Sequence, residues 1–261
     1  MKVSCLQMDV LPSQPDANFA HAAELIAQAM AQRPDVIVLP ESWDISFLPR
    51  NATVELYENS YSRALRQIGD LAKRHNVNIV AGSVSRYQDG KLYNTCCVFD
   101  RQGELIASYD KIHLFTHVGE DKRYSRGETL GSFTLDGIRC GVIICYDVRF
   151  PELVRTMCLE GLDVLFVVCQ WPRARIEMLQ TLCRARAIEN QIFVACCSAC
   201  GTAGDRVCGG HSAIFGPSGE FLAAAADAEE LLCADCELES LQGLRNSFPV
   251  FRDRRPELYR L

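Results

Sequence analysis

Apolar positions along the 261-residue chain switch repeatedly between the two-residue period of strands and the longer period of helices. Residues 2–9 read as a first strand. Residues 17–32 carry Phe19, Ala22, Ala23, Ile26 and Met30 near helical spacing, and residues 35–39 form a short apolar strand that stops at Pro40-Glu41. A helix is predicted over residues 59–75 and a strand over 78–84. Segments 91–100 and 104–110 flank Arg101-Gln102-Gly103, and segments 132–135 and 138–145 flank Asp136-Gly137, so both pairs are predicted as hairpins. Helices follow at 151–160 and 175–190, and strands at 163–169, 193–198, 213–215 and 231–237. Pro217-Ser218-Gly219 marks a turn. Helices and strands mix throughout, with no low-complexity linker and no repeat, which predicts a single α/β domain over residues 1–261.

Composition narrows the classes. A hydrophobic fraction of 48% and a charged fraction of 23% supply a sizeable core. A net charge of −6 argues against a nucleic-acid or anionic-membrane binder, but leaves room for a locally basic pocket that takes a small anionic substrate. The first apolar stretch is broken by Gln7 and Asp9 and preceded only by Lys2, so no secretory leader is expected, and no run is long enough for a transmembrane helix. The expectation is a cytoplasmic protein whose 14 cysteines are reduced thiols, most of them small buried hydrophobes.

Three ionisable residues stand at the carboxyl ends of apolar runs: Glu41 after Val-Ile-Val-Leu-Pro, Lys111 after Ile-Ala-Ser-Tyr-Asp, and Cys145 after Gly-Val-Ile-Ile. Ligands of open α/β sheets bind at that edge. Together, a carboxylate would take the thiol proton, an ammonium would stabilise an oxyanion, and the thiol would attack a carbonyl carbon. Each also has a plainer reading: a solvated loop end for Glu41, a surface lysine for Lys111, a core thiol for Cys145. Chain order alone does not decide between them. A competing reading takes Cys197-x-x-Cys200 with Cys208-x-x-His211, or Cys233-x-x-Cys236, as zinc ligands. Alternation along an apolar strand sets neighbouring side chains on opposite faces, which disfavours it.

Leu39-Pro40-Glu41, Asp110-Lys111-Ile112-His113-Leu114 and Cys145-Tyr146-Asp147-Val148-Arg149-Phe150-Pro151-Glu152 resemble the three signatures of the nitrilase, or carbon–nitrogen hydrolase, superfamily, in its order and at its usual intervals. Tyr93-Asn94-Thr95, Gly127-Glu128, Arg184 to Asn190, Gly210-His211-Ser212 and Gly216 to Glu220 support it across nearly the whole chain. The resemblance implies a four-layer α-β-β-α sandwich and a Glu-Lys-Cys set, with Cys145 as nucleophile, Glu41 as general base and Lys111 as oxyanion cation beside the Tyr146 N–H. It also implies a second glutamate, for which Glu120 fits better than Glu128. The Cys-Tyr-Asp-x-Arg-Phe-Pro-Glu form, Gln170-Trp171-Pro172 and Phe115 resemble the ω-amidase branch. That branch acts on the terminal amide of small 2-oxo acids without metal or cofactor. Tyr146, Phe115, Arg149, Gln170 and Trp171 are then the expected substrate contacts, with Arg173 and Arg175 as further cations for a substrate carboxylate. N-carbamoyl or nitrile hydrolysis, and a non-catalytic binding protein, are the alternatives. The resemblance also implies a homodimer or higher homo-oligomer, with the arginine-rich tail over residues 243–261 at the subunit interface.

Overall fold

The computed structural model describes residues 1–49, 52–203 and 206–259. One six-stranded mixed sheet contains β1 (Lys2–Gln7), β2 (Val36–Val38), β3 (Asn78–Gln88), β4 (Lys91–Phe99) and β5 (Leu105–Asp110), with the last strand, β14 (Glu230–Asp235), antiparallel to β1 at its edge. The second six-stranded sheet contains β6 (Ser132–Leu135), β7 (Ile138–Ile144), β8 (Val164–Cys169), β9 (Phe193–Ser198), β12 (Ala213–Phe215) and β13 (Phe221–Ala224). Between them in the chain, β10 (Thr202–Ala203) and β11 (Arg206–Val207) form a separate small hairpin.

Strand alternation builds the layers. On β2, Val36 and Val38 face the core shared with the second sheet, whereas Ile37 and Leu39 pack with Phe19 and Ile26 of α1 (Pro15–Ala29) and Ile68 of α2 (Val54–His75). On the far side, α3 (Pro151–Leu159) and α4 (Ile176–Asn190) contribute Val154, Met157, Leu179 and Cys183 to the core of the second sheet. The result is helices, sheet, sheet, helices. The Asp136-Gly137 hairpin forms in the expected register, with Leu135 opposite Ile138.

Several elements depart from the periodicity. α2 starts five residues early because Thr53 caps it, its Oγ1 accepting from the Leu56 N–H at 3.1 Å. β3 runs on to Gln88, and β10, β11 and β13 are too short or too polar to stand out. The tail contains a helix, α5 (Glu239–Ser247). Arg245 donates to Asp163 Oδ1 at 2.8 Å and to the carbonyls of Leu162 and Gln191, and the Arg155 guanidinium lies 4.9 Å from the Phe251 ring. These contacts dock residues 245–251 on their own chain; residues 260–261 of the predicted tail lie outside the described residues.

Candidate active site

Glu41 leaves β2 on a loop held by an irregularity in β3. Ser83 N–H donates to the Pro40 carbonyl at 3.1 Å, Ser42 N–H donates to Ser83 Oγ at 3.1 Å, and the Trp43 indole donates to the Ala81 carbonyl at 2.7 Å. Gly82 makes this crossing possible. Its φ is +58°, and a Cβ there would stand 2.0 Å from the Pro40 oxygen. Lys111 follows β5, its N–H bonded to the Asn94 carbonyl and its carbonyl accepting from the Gly127 N–H, each at 2.9 Å.

Cys145 follows β7 with a φ of +50°, uncommon for a residue with a side chain, and opens the 3₁₀ segment Cys145–Arg149. Buried Asp147 secures that bend. Its Oδ2 accepts from Ile144 N–H at 3.0 Å and from Tyr109 OH at 2.8 Å, while its Oδ1 accepts from His113 N–H at 2.8 Å and lies 2.9 Å from His113 Nδ1. The His113 ring in turn stacks on Phe150 at 3.7 Å. One carboxylate therefore ties the cysteine turn to the lysine segment.

These supports bring Glu41, Lys111, Glu120 and Cys145 together. Lys111 Nζ lies 2.9 Å from Glu41 Oε1 and 3.0 Å from both Glu120 oxygens. Asn94 Nδ2 donates to Glu41 at 2.9 Å and to Glu120 at 3.3 Å. Backbone N–H groups complete the shell, Gln170 to Glu41 Oε2 at 3.0 Å and Phe115 to Glu120 Oε2 at 2.6 Å. The Cys145 thiol lines the same pocket as Glu41 and Lys111 and lies within reach of their charges. Cys145 is 8% exposed, and Lys111 and Glu120 are fully buried. Glu128, the rival second glutamate, is exposed.

Electrostatics follow from this packing. Burial alone would pull the Lys111 pKa down, but the charges of Glu41 and Glu120 outweigh it and hold the ammonium above the ordinary lysine range. Burial raises the Glu120 carboxyl, with Lys111 opposing and Glu41 adding. Burial and then the Glu41 charge push the Cys145 thiol well above its usual value, against the pull of Lys111. At neutral pH the resting sulfur is thus a thiol beside a carboxylate, poised to lose its proton as it attacks.

A pocket of about 650 Å³, including its open mouth, lies over this cluster. Each expected substrate contact lines it: Phe115, Tyr146, Arg149, Gln170 and Trp171. Arg175 lines it too, whereas Arg173 is outside its lining and paired with Asp227. Sequence reasoning missed Phe47, Arg206 and Cys208 in the lining, and the bridging role of Asn94. The residues of the competing zinc reading do not converge on one point. The Cys197 thiol faces the carbonyls of Leu6 and Val38, and His211 Nε2 lies 2.6 Å from Asp227. Among the described residues, no three His, Cys, Asp or Glu side chains are grouped to hold a metal ion.

Comparison with known proteins shows the family. The family model described as carbon-nitrogen hydrolase matches residues 2–246. The chain is 38% identical over 257 residues to a 2-oxoglutaramate amidase of Bacillus subtilis (strain 168), covering 98% of each. It is 32% identical over 271 residues to Omega-amidase NIT2 of Homo sapiens, covering 99% of this chain and 96% of that one. A mutant amidase from Nesterenkonia sp. AN1, solved after Michael addition of acrylamide at its active-site cysteine, matches with a TM-score of 0.85 at 25% identity, over 99% of this chain and 98% of that one.

Proposed function

This chain belongs to the carbon–nitrogen hydrolase family of the nitrilase superfamily and is an amidase with an active-site cysteine; from that premise we propose that it is an ω-amidase, hydrolysing the terminal carboxamide of a small 2-oxo acid such as 2-oxoglutaramate or 2-oxosuccinamate to carboxylate and ammonia. Cys145 is the nucleophile. Its sulfur attacks the amide carbon while Glu41 accepts the thiol proton. The oxyanion forms between the Lys111 ammonium and the N–H of Tyr146, which lies in the first turn of the 3₁₀ segment with no preceding turn to bond. Collapse of this intermediate breaks the C–N bond, and Glu41 returns the proton to the departing ammonia. Water then adds to the thioester with Glu41 as base, and the carboxylic acid leaves as the thiol reforms. Glu120 acts through Lys111, holding the ammonium in place and charged.

The observation that carries this reading is the buried carboxylate–ammonium–thiol cluster at the floor of a pocket whose polar lining includes Arg149 and Arg175. The Arg149 guanidinium lies 5.3 Å from the Trp171 ring and 5.9 Å from the Tyr146 ring. Among the described residues it forms no ion pair with a carboxylate, which leaves it free for a substrate anion. The names of the two curated relatives support the same substrate class. No described helix is long and apolar enough to cross a membrane. Initial rates on 2-oxoglutaramate, 2-oxosuccinamate, glutamine, an N-carbamoyl amine and an aliphatic nitrile test the assignment. The 2-oxo acid amides should dominate; turnover confined to the carbamoyl compound or the nitrile would overturn it.

A further inference from the structure

The β10–β11 hairpin stands outside both sheets, yet it carries Arg206 and Val207 to the mouth of the pocket. Its base is fastened to the Trp171 loop. Cys208 is bridged to Pro172, Cys208 N–H donates to the Gly201 carbonyl at 2.9 Å, and Gly209 N–H donates to the Trp171 carbonyl at 2.8 Å. The Arg206 guanidinium lies 5.5 Å from the Phe47 ring, the same ring that lies 5.4 Å from Lys111 Nζ. Arg149 instead rests against Trp171 and Tyr146. Arg206 and Arg149 thus reach, from different aromatic walls, the same apolar pocket that Arg175 also lines. Neither is ion-paired with a carboxylate among the described residues, although the chain as a whole carries a net charge of −6. Like charges converging on a pocket are unfavourable until an anion enters between them, and their field draws that anion in.

We propose that Arg206 is a specificity-determining residue: a second cation that joins Arg149 in gripping the substrate's carboxylate, so that the site selects amides bearing an anionic group at the end remote from the scissile bond. This rests on the ω-amidase reading. The Phe47 face restrains the guanidinium, which reduces the ordering cost of binding. Arg206 sits at the mouth rather than at the thiol, so its effect falls on substrate binding and not on the chemical step.

The test compares wild type, Arg206→Gln and Arg206→Lys on 2-oxoglutaramate and on pentanamide, a neutral amide of matched length, with thermal unfolding to confirm folding. Loss of one charge-assisted contact should raise KM for 2-oxoglutaramate by about tenfold, with kcat changed by less than about twofold. Kinetics on pentanamide should not move, and lysine should recover part of the loss. An equal loss on both amides, or an unchanged KM for 2-oxoglutaramate in Arg206→Gln, overturns the role of Arg206. A wild-type enzyme that prefers pentanamide to 2-oxoglutaramate instead overturns the ω-amidase reading beneath it.

Discussion

Replacing Lys111 by methionine removes the cation held between two buried carboxylates. At the observed 2.9–3.0 Å separations, each pair is worth roughly 5 kcal/mol of attraction at an effective dielectric of about 20. Desolvation offsets much of this, and removing one partner of a buried pair typically costs a net 3–5 kcal/mol. For a chain of this size that corresponds to a fall in Tm on the order of 10 °C. The loss should depend on pH. Burial already raises the Glu120 carboxyl, and without the ammonium only hydrogen bonds such as that from the Phe115 N–H oppose that rise. A carboxyl with a raised folded pKa binds protons more readily folded than unfolded, so its contribution is present at low pH and is lost as pH rises through the folded value. The deficit of Lys111→Met relative to wild type should therefore be small near pH 5 and widen toward pH 8, and Lys111→Met/Glu120→Gln should regain part of the stability. Amide turnover should fall by at least about 10²–10³ with loss of the oxyanion cation. Thermal unfolding at both pH values, beside initial rates, checks this. A variant with wild-type Tm at both pH values, or a deficit independent of pH, would refute the argument.

Other positions offer independent checks. Asp44 is fully buried, with one oxygen bonded to Ser60 Oγ at 2.5 Å and the other unpartnered among the described residues, and burial raises its pKa to about 6. By the same sign, its contribution is present below pH 4 and lost between about pH 4 and 6, a change of up to about 3 kcal/mol. Urea denaturation of Asp44→Asn across that range should lack this component of the wild-type slope; parallel curves would show that Asp44 does not titrate there. Gly82→Ala forces a side chain into the Pro40 carbonyl at a left-handed φ, and should cost roughly 1–3 kcal/mol and displace Glu41. Its kcat should drop more than its KM rises, and unchanged kcat and Tm would contradict the bracing role of that crossing.

The long apolar runs were legible in the sequence because burial on both faces leaves few alternatives: Phe193–Ser198 is a strand to the residue, and Val164–Cys169 starts one residue later than expected. Glu41, Lys111 and Cys145 were legible as strand-end residues, but their convergence depends on two sheets packing face to face, which no local pattern encodes. Asp147 and Asn94 fall within segments that carry the family resemblance, and only the fold reveals that they connect segments far apart in the chain. Arg206 carried no signal because a two-residue strand has no periodicity. α5 escaped prediction because Leu241 is its one buried side chain, too few for a helical period.

The central claim is that Cys145 carries the acyl group of a 2-oxo acid ω-amide during turnover. Rapid acid quenching of the enzyme with 2-oxoglutaramate, followed by intact-mass measurement and peptide mapping, reads this directly. The account predicts a single acyl adduct on the peptide bearing Cys145, and neither adduct nor ammonia release from folded Cys145→Ala. An adduct on any other cysteine, or wild-type turnover by Cys145→Ala, would contradict it.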